Sequence, residues 1–237
     1  MGKKLLSFVM VASMALALIG CGKEEAKQVY EVNKVVGEKD TAETANSAAD
    51  NNTQNESEAT TDEALLAGTY AVLIQIENYG DILVELDADA APISVTNFMK
   101  LVNEDFYTGL TFHRIIEGFM MQGGQSMDRQ AANIIGEFAL NGINNPISHV
   151  RGTISMARAN DPNSASSQFF ICHQDSQFLD GQYAGFGHVV SGMEVVDRVC
   201  EEAIVVDNNG TVMPENQPVI TGIYDVTDEY RSGALGN

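Results

Sequence analysis

One short stretch gathers side chains that could do chemistry: Phe112-His113-Arg114-Ile115-Ile116-Glu117-Gly118-Phe119-Met120-Met121-Gln122-Gly123-Gly124. Read as a strand, its first part alternates so that Phe112, Arg114 and Ile116 share one face. A guanidinium then sits among apolar groups, and two readings are open. Arg114 is a surface arginine with its stem laid over apolar neighbours, and Phe119 and Met120 are plain core. Alternatively, Arg114 has a functional role on that face. The pattern alone does not choose between them. The usual catalytic constellations are missing from the rest of the chain: no Gly-x-Ser-x-Gly elbow, no His-Glu-x-x-His pair and no phosphate-binding Gly-x-x-x-x-Gly-Lys loop. Gly185-Phe186-Gly187 is a fragment of a dinucleotide fingerprint. His113, His149, His173 and His188 lack ligand-like spacing, so surface or structural roles are expected for them.

The elements that must hold these residues follow from periodicity. Tyr70 to Ile76 reads as a strand, Asn78-Tyr79-Gly80-Asp81 as a turn and Ile82 to Leu86 as the returning strand. Pro92 can open a helix, because its missing N–H is not needed there. Val95, Phe98, Met99 and Val102, with Leu101 beside them, follow at helical spacing. Further strands are expected at Thr111 to Ile116, Phe119 to Gln122, Gly152 to Ala159, Gln168 to Cys172, Ala184 to Val190 and Val219 to Val226. A second helix is expected from Gly192 to about Glu202, with Met193, Val196, Val199 and Cys200 on one face. Residues 124–150 are rich in Gly and Asn and read as loop. About eight short strands and two helices predict a mainly β domain, a closed barrel with the helices over its openings. It spans residues 68–230, with a short tail over 231–237.

The first twenty residues read as an export signal. Lys3 and Lys4 precede an apolar run, Leu5 to Ile19, that falls short of the roughly twenty residues a membrane-spanning helix needs. The run ends in Leu18-Ile19-Gly20-Cys21, which resembles a bacterial lipobox. That resemblance implies cleavage before Cys21 and a diacylglyceryl group on its sulfur, with two or three acyl chains giving durable anchoring. Residues 21–67 are polar and acidic, too poor in apolar surface to order themselves. As a flexible coil they would hold a domain roughly 35–40 Å from the lipid.

The chain carries 33 acidic against 13 basic residues, a formal net charge of −20. That balance argues against nucleic acid as a partner and against electrostatic attraction to an anionic membrane, leaving a lipid as the means of attachment. Three cysteines, with no CxxC pair, make neither a disulfide framework nor a zinc site. Cys172 and Cys200 are expected to be inert, buried thiols.

The Phe112–Gly124 block resembles the central motif of the cyclophilins, a family of peptidyl-prolyl isomerases. Gly152-Thr153-Ile154-Ser155-Met156-Ala157-Arg158-Ala159, Ser166-Ser167-Gln168-Phe169-Phe170-Ile171-Cys172 and Phe178-Leu179-Asp180-Gly181 through Phe186-Gly187 fit the same family in the same order. The likeness runs from about Thr69 to about Asp228. It implies an eight-stranded antiparallel barrel capped by two helices, in agreement with the strand count. It implies that Arg114 is the catalytic arginine and that Gln122 helps fix it and the substrate backbone. It also implies that Phe119, Met120, Phe170 and Leu179 wall a proline pocket, and that Ala157, Arg158 and Ala159 form the edge along which a peptide runs. Position 158 is usually Asn in familiar members. Phe178 stands where many eukaryotic members have Trp, and Tyr183 where they have His. Losing the indole N–H implies weak cyclosporin binding, which a titration would contradict if it gave a low-nanomolar complex. The implied activity is rotation about Xaa–Pro bonds of exported proteins by a monomer needing no metal or organic cofactor. A holdase that binds proline segments with little catalysis is the alternative reading.

Overall fold

The computed structural model describes residues 64–235. The expected signal, Cys21 and nearly all of the expected tether lie outside the described residues. Ala64 to Ala67, the end of that tether, carries no regular structure. From there the chain runs β1 (Thr69–Ile76), β2 (Gly80–Asp87), α1 (Pro92–Asn103), β3 (Phe112–Ile116), β4 (Met120–Gly123), β5 (Thr153–Met156), β6 (Phe169–Cys172), β7 (Gly185–Ser191), α2 (Met193–Glu202), β8 (Ile220–Asp225) and α3 (Thr227–Arg231).

The eight strands form one antiparallel sheet in the order β3-β4-β6-β5-β7-β2-β1-β8. This corrects the expected closed barrel: β3 and β8 are the two ends of an open half-barrel, with no ladder between them. Contacts do cross the gap. Phe112 N donates to Pro218 O at 3.0 Å and Ile220 N to Leu110 O at 2.8 Å, and a single bridge joins Thr111 to Val219. They involve only the first residue of each strand and the residues just before it, and Pro218 has no N–H with which to extend the pairing.

α1 buries Val95, Phe98, Met99, Leu101 and Val102 as its spacing predicts. No residue of its own caps its start. Instead the buried Glu137, 43 residues on, accepts Ser94 N at 2.8 Å and Ser94 Oγ at 2.6 Å, and Ile93 N at 2.9 Å. A carboxylate there satisfies free helix N–H groups and complements the helix dipole. α2 buries Val195, Val196, Val199 and Cys200; Met193 packs only partly against the core. β8 falls within the expected last strand, and the short α3 that follows it, which the sequence reading does not include, runs one residue, Arg231, into the expected tail. α3 is held by Thr227, whose Oγ1 accepts Ala71 N at 3.1 Å.

The main core lies on one face of the sheet around an aromatic cluster. The Phe98 ring sits 5.2 Å from Tyr107, 5.2 Å from Phe186 and 5.4 Å from Phe169. A second, smaller apolar cluster of Met120, Ala157, Phe170, Cys172 and Leu179 occupies the other face of β4 and β6. Cys172 and Cys200 are both free and buried, as expected.

Candidate active site

The second cluster is where the sequence block converges, through a local irregularity. Phe112 pairs with Gly123 and Arg114 with Gln122, so β3 spends two residue steps against one on β4. This bulge at His113 breaks the alternation. Phe112 and Ile115 enter the main core, while Arg114 and Ile116 face the other way. The expectation that Phe112 shares a face with Arg114 and Ile116 is therefore corrected. Downstream the period of two holds. Met121, Phe169 and Ile171 go to the main core, and Met120, Gln122, Phe170 and Cys172 point outward. Register places Gln122 between Arg114 on one side and Phe170 on the other, and Met120 between Ile116 and Cys172. Three short strands thus set a cation, an amide and a phenyl ring side by side.

These groups border a cavity of about 300 Å³. Met120, Phe170, Ala157 and Leu179 line it from the buried cluster, with Phe119 and Tyr183 partly exposed at its sides. Arg114 lies on its wall rather than out in solvent. Its Nε donates to Asn209 O at 2.8 Å, and its Nη1 donates to Gln122 Oε1 at 3.3 Å and approaches Met120 Sδ at 3.7 Å. Gln122 Nε2 in turn donates to Gln168 Oε1 at 2.9 Å. Burial lowers the proton affinity of the Arg114 guanidinium, with Tyr183 and Asp207 opposing; an arginine so placed keeps its charge. The second cation on the cavity, Arg158, lies over the Tyr183 ring at 4.7 Å and the Phe138 ring at 5.3 Å. Its Nε donates to Gln182 O at 2.9 Å.

Behind the Phe170 ring, the fully buried His149 stacks at 6.0 Å and 18°. Its Nδ1 meets Asp180 Oδ1 at 2.8 Å and its Nε2 meets Ser155 Oγ at 2.9 Å. Burial lowers the imidazole's proton affinity, against the pull of Asp180. A neutral ring donating to Asp180 and accepting from the Ser155 hydroxyl satisfies all three groups. This histidine is structural, as its spacing implied.

Nine of the expected residues meet at the cavity: Arg114, Phe119, Met120, Gln122, Ala157, Arg158, Phe170, Leu179 and Tyr183. Phe178 and Ala159 do not line it. Phe178 is 66% exposed and packs its ring 5.4 Å from Phe119. Ala159 lies beyond the end of β5, exposed, its N–H donating to Ser164 Oγ at 2.9 Å. The contribution of Asn209 is absent from the sequence expectations. It acts through a backbone carbonyl 95 residues from Arg114, which no side-chain pattern reveals. The signal available was the turn Asp207-Asn208-Asn209-Gly210, whose Asp207 Oδ1 accepts Asn209 N and Thr211 N, both at 3.0 Å. Among the described residues no group of three or more His, Cys, Asp or Glu side chains could hold a metal.

Comparison with known proteins agrees with this geometry. The family model "Cyclophilin type peptidyl-prolyl cis-trans isomerase/CLD" matches residues 71–224. Peptidyl-prolyl cis-trans isomerase A of Dickeya dadantii is 44% identical over 146 residues, 58% of this chain and 75% of that protein. Peptidyl-prolyl cis-trans isomerase B of Escherichia coli is 41% identical over 130 residues, 52% of this chain and 79% of that one. Among solved structures, a cyclophilin-type isomerase of Cryptosporidium parvum superposes with TM-score 0.58 at 28% identity, over 68% of this chain and 99% of its own. A second structure of that protein was determined in the presence of the dipeptide Ala-Pro. With the motif blocks, the sheet and the arginine-walled cavity in agreement, the chain belongs to the cyclophilin-type peptidyl-prolyl cis-trans isomerases.

Proposed function

We propose that this protein speeds cis/trans rotation about Xaa–Pro bonds in exported polypeptides, working at the outer face of a membrane to which a lipid on Cys21 holds it. The uncatalysed rotation faces a barrier of about 20 kcal/mol, because amide resonance must be lost. It takes roughly 10–100 s, slow enough to limit folding. No bond breaks in this reaction, so catalysis means stabilising the twisted amide over the planar one. In the twisted state the nitrogen regains a lone pair. A guanidinium can donate to that nitrogen, or steady the adjoining carbonyl, without itself losing a proton.

The observation that carries the reading is the placement of Arg114. Asn209 O and Gln122 hold it along the wall of a cavity of about 300 Å³ floored by apolar side chains. Met120, Phe170 and Leu179 offer a pyrrolidine ring a dry floor, which strengthens the arginine's field. Arg114 and Gln122 are assigned the chemistry. Phe119, Met120, Phe170 and Leu179 are assigned the ring, and Ala157, Arg158 and Tyr183 the flanking peptide. The solved relative studied with Ala-Pro supports a proline-bearing substrate.

The activity is tested by isomerisation of a short Xaa-Pro peptide, with Arg114→Ala as control. The location is tested in cells: the protein should incorporate labelled palmitate and sediment with membranes, and Cys21→Ala should do neither. An unlabelled, freely soluble wild-type protein would remove the anchored reading and leave the isomerase reading standing.

A further inference from the structure

The side chain that closes one wall of the cavity, Phe119, is the last residue of a tight turn, Ile116-Glu117-Gly118-Phe119. Phe119 N donates to Ile116 O at 3.0 Å. Gly118 has φ +78° and Glu117 is not in the left-handed region, which makes this a type II turn. Types I and II differ by a flip of the central peptide, the one whose N–H belongs to Gly118. That N–H donates to His173 Nδ1 at 2.9 Å. The accepting nitrogen leaves the proton on His173 Nε2, 3.1 Å from Asp197 Oδ1. Asp197 is gripped by both terminal nitrogens of Arg151, at 2.7 and 2.8 Å, and Arg151 Nη1 also reaches His173 O at 2.8 Å. The backbone after β6 completes the hold, with His173 N donating to Phe119 O at 2.8 Å. His173 is only 6% exposed, so no water readily substitutes for either ring contact.

We infer that His173 is a positioning residue for isomerisation: its Nδ1 locks the Gly118 peptide in the type II orientation and so sets where Phe119 stands against the cavity. This rests on the isomerase reading of the same site. The two ring nitrogens do separable jobs. Nδ1 fixes the turn, while Nε2 with Asp197 ties the residue to α2.

Two substitutions separate those jobs. In His173→Asn a side-chain oxygen can sit near the Nδ1 position and accept Gly118 N–H, but the side chain is too short to reach Asp197. In His173→Gln the amide N–H₂ can reach toward Asp197, with no acceptor left at the Nδ1 position. Peptide isomerisation should stay within about twofold of wild type in the Asn variant. In the Gln variant kcat/KM should fall about fivefold, mainly through KM. Exchange protection of the Gly118 amide should persist in the Asn variant and fall in the Gln variant. A merely structural tie to α2 gives the opposite order, Gln near wild type and Asn impaired. That order, or equal activities in both, overturns the inference. If wild type itself fails to turn over peptides, the isomerase reading fails, and Gly118 protection alone still shows whether the ring holds the turn.

Discussion

Replacing Gln122 by alanine isolates how much of the proposed catalysis comes from holding Arg114 ready. The substitution removes the acceptor for Arg114 Nη1, 3.3 Å away, and the donor to Gln168 Oε1, 2.9 Å away. Arg114 keeps its Nε bond to Asn209 O at 2.8 Å, so its charge stays on the cavity wall. A hydrogen bond to a charged group contributes about 1.5–3 kcal/mol, and a 3.3 Å contact belongs at the weak end of that range. A loss of about 1.5 kcal/mol is close to tenfold in rate. Because the arginine must be aimed at the twisted amide, the loss should fall chiefly on kcat, with KM little changed. Gln122 is only half-buried, so water can replace its contacts and unfolding midpoints should move by less than about 1 kcal/mol. The assay is steady-state isomerisation of a short Xaa-Pro peptide, with denaturant unfolding run on the same samples. A rate loss under twofold, or one matched by an equal loss of stability, would refute the idea that Gln122 acts through Arg114.

Three further expectations can be checked without peptide turnover. Burial pushes the thiols of Cys172 and Cys200 up to about 12, so neither should alkylate in the native protein at neutral pH, and both should react after denaturation; rapid native labelling at either would contradict their placement. Hydrogen bonds from Arg151, aided by its charge and by His173, hold the Asp197 carboxyl below its ordinary 3.8 against the effect of burial. A depressed carboxyl stabilises the fold above 3.8 and loses that contribution as pH falls through its lower folded value. Asp197→Asn should therefore weaken the protein near neutral pH and converge on wild type in strong acid, and a gap that persists there would sink this reading. Gly210 sits at φ +80°, and a Cβ on it would meet Ile115 O at 2.4 Å. Gly210→Ala should cost about 1–3 kcal/mol of stability and, by shifting Asn209 O, loosen Arg114.

Much of the site was legible because its strands are short and regular. Met120, Gln122 and Phe170 obey a period of two, and their neighbours Met121, Phe169 and Ile171 fill the main core. α1 reads directly from the spacing that follows Pro92. The His113 bulge was not legible, since nothing in Phe-His-Arg-Ile marks an extra residue; pairing with β4 decides it. The open edge between β3 and β8 depends on which backbone groups remain unpaired, again a tertiary property, although Pro218 hints at it. Phe178 was placed in the site by family likeness; its exposed ring packs 5.4 Å from Phe119 and does not line the cavity. Glu137 shows the same limit from another direction: in a loop of no evident pattern, its carboxylate supplies the start of α1 with acceptors the helix lacks.

The most direct test of the account is the isomerase activity of Arg114→Ala. The side chain lies at the sheet's outer face, outside the main core, so the variant should fold with a wild-type circular dichroism spectrum. Its kcat/KM on an Xaa-Pro peptide should fall at least about a hundredfold, the equivalent of some 2.7 kcal/mol of lost stabilisation of the twisted amide. Turnover near the wild-type rate in that folded variant would contradict the claim that this guanidinium drives the rotation.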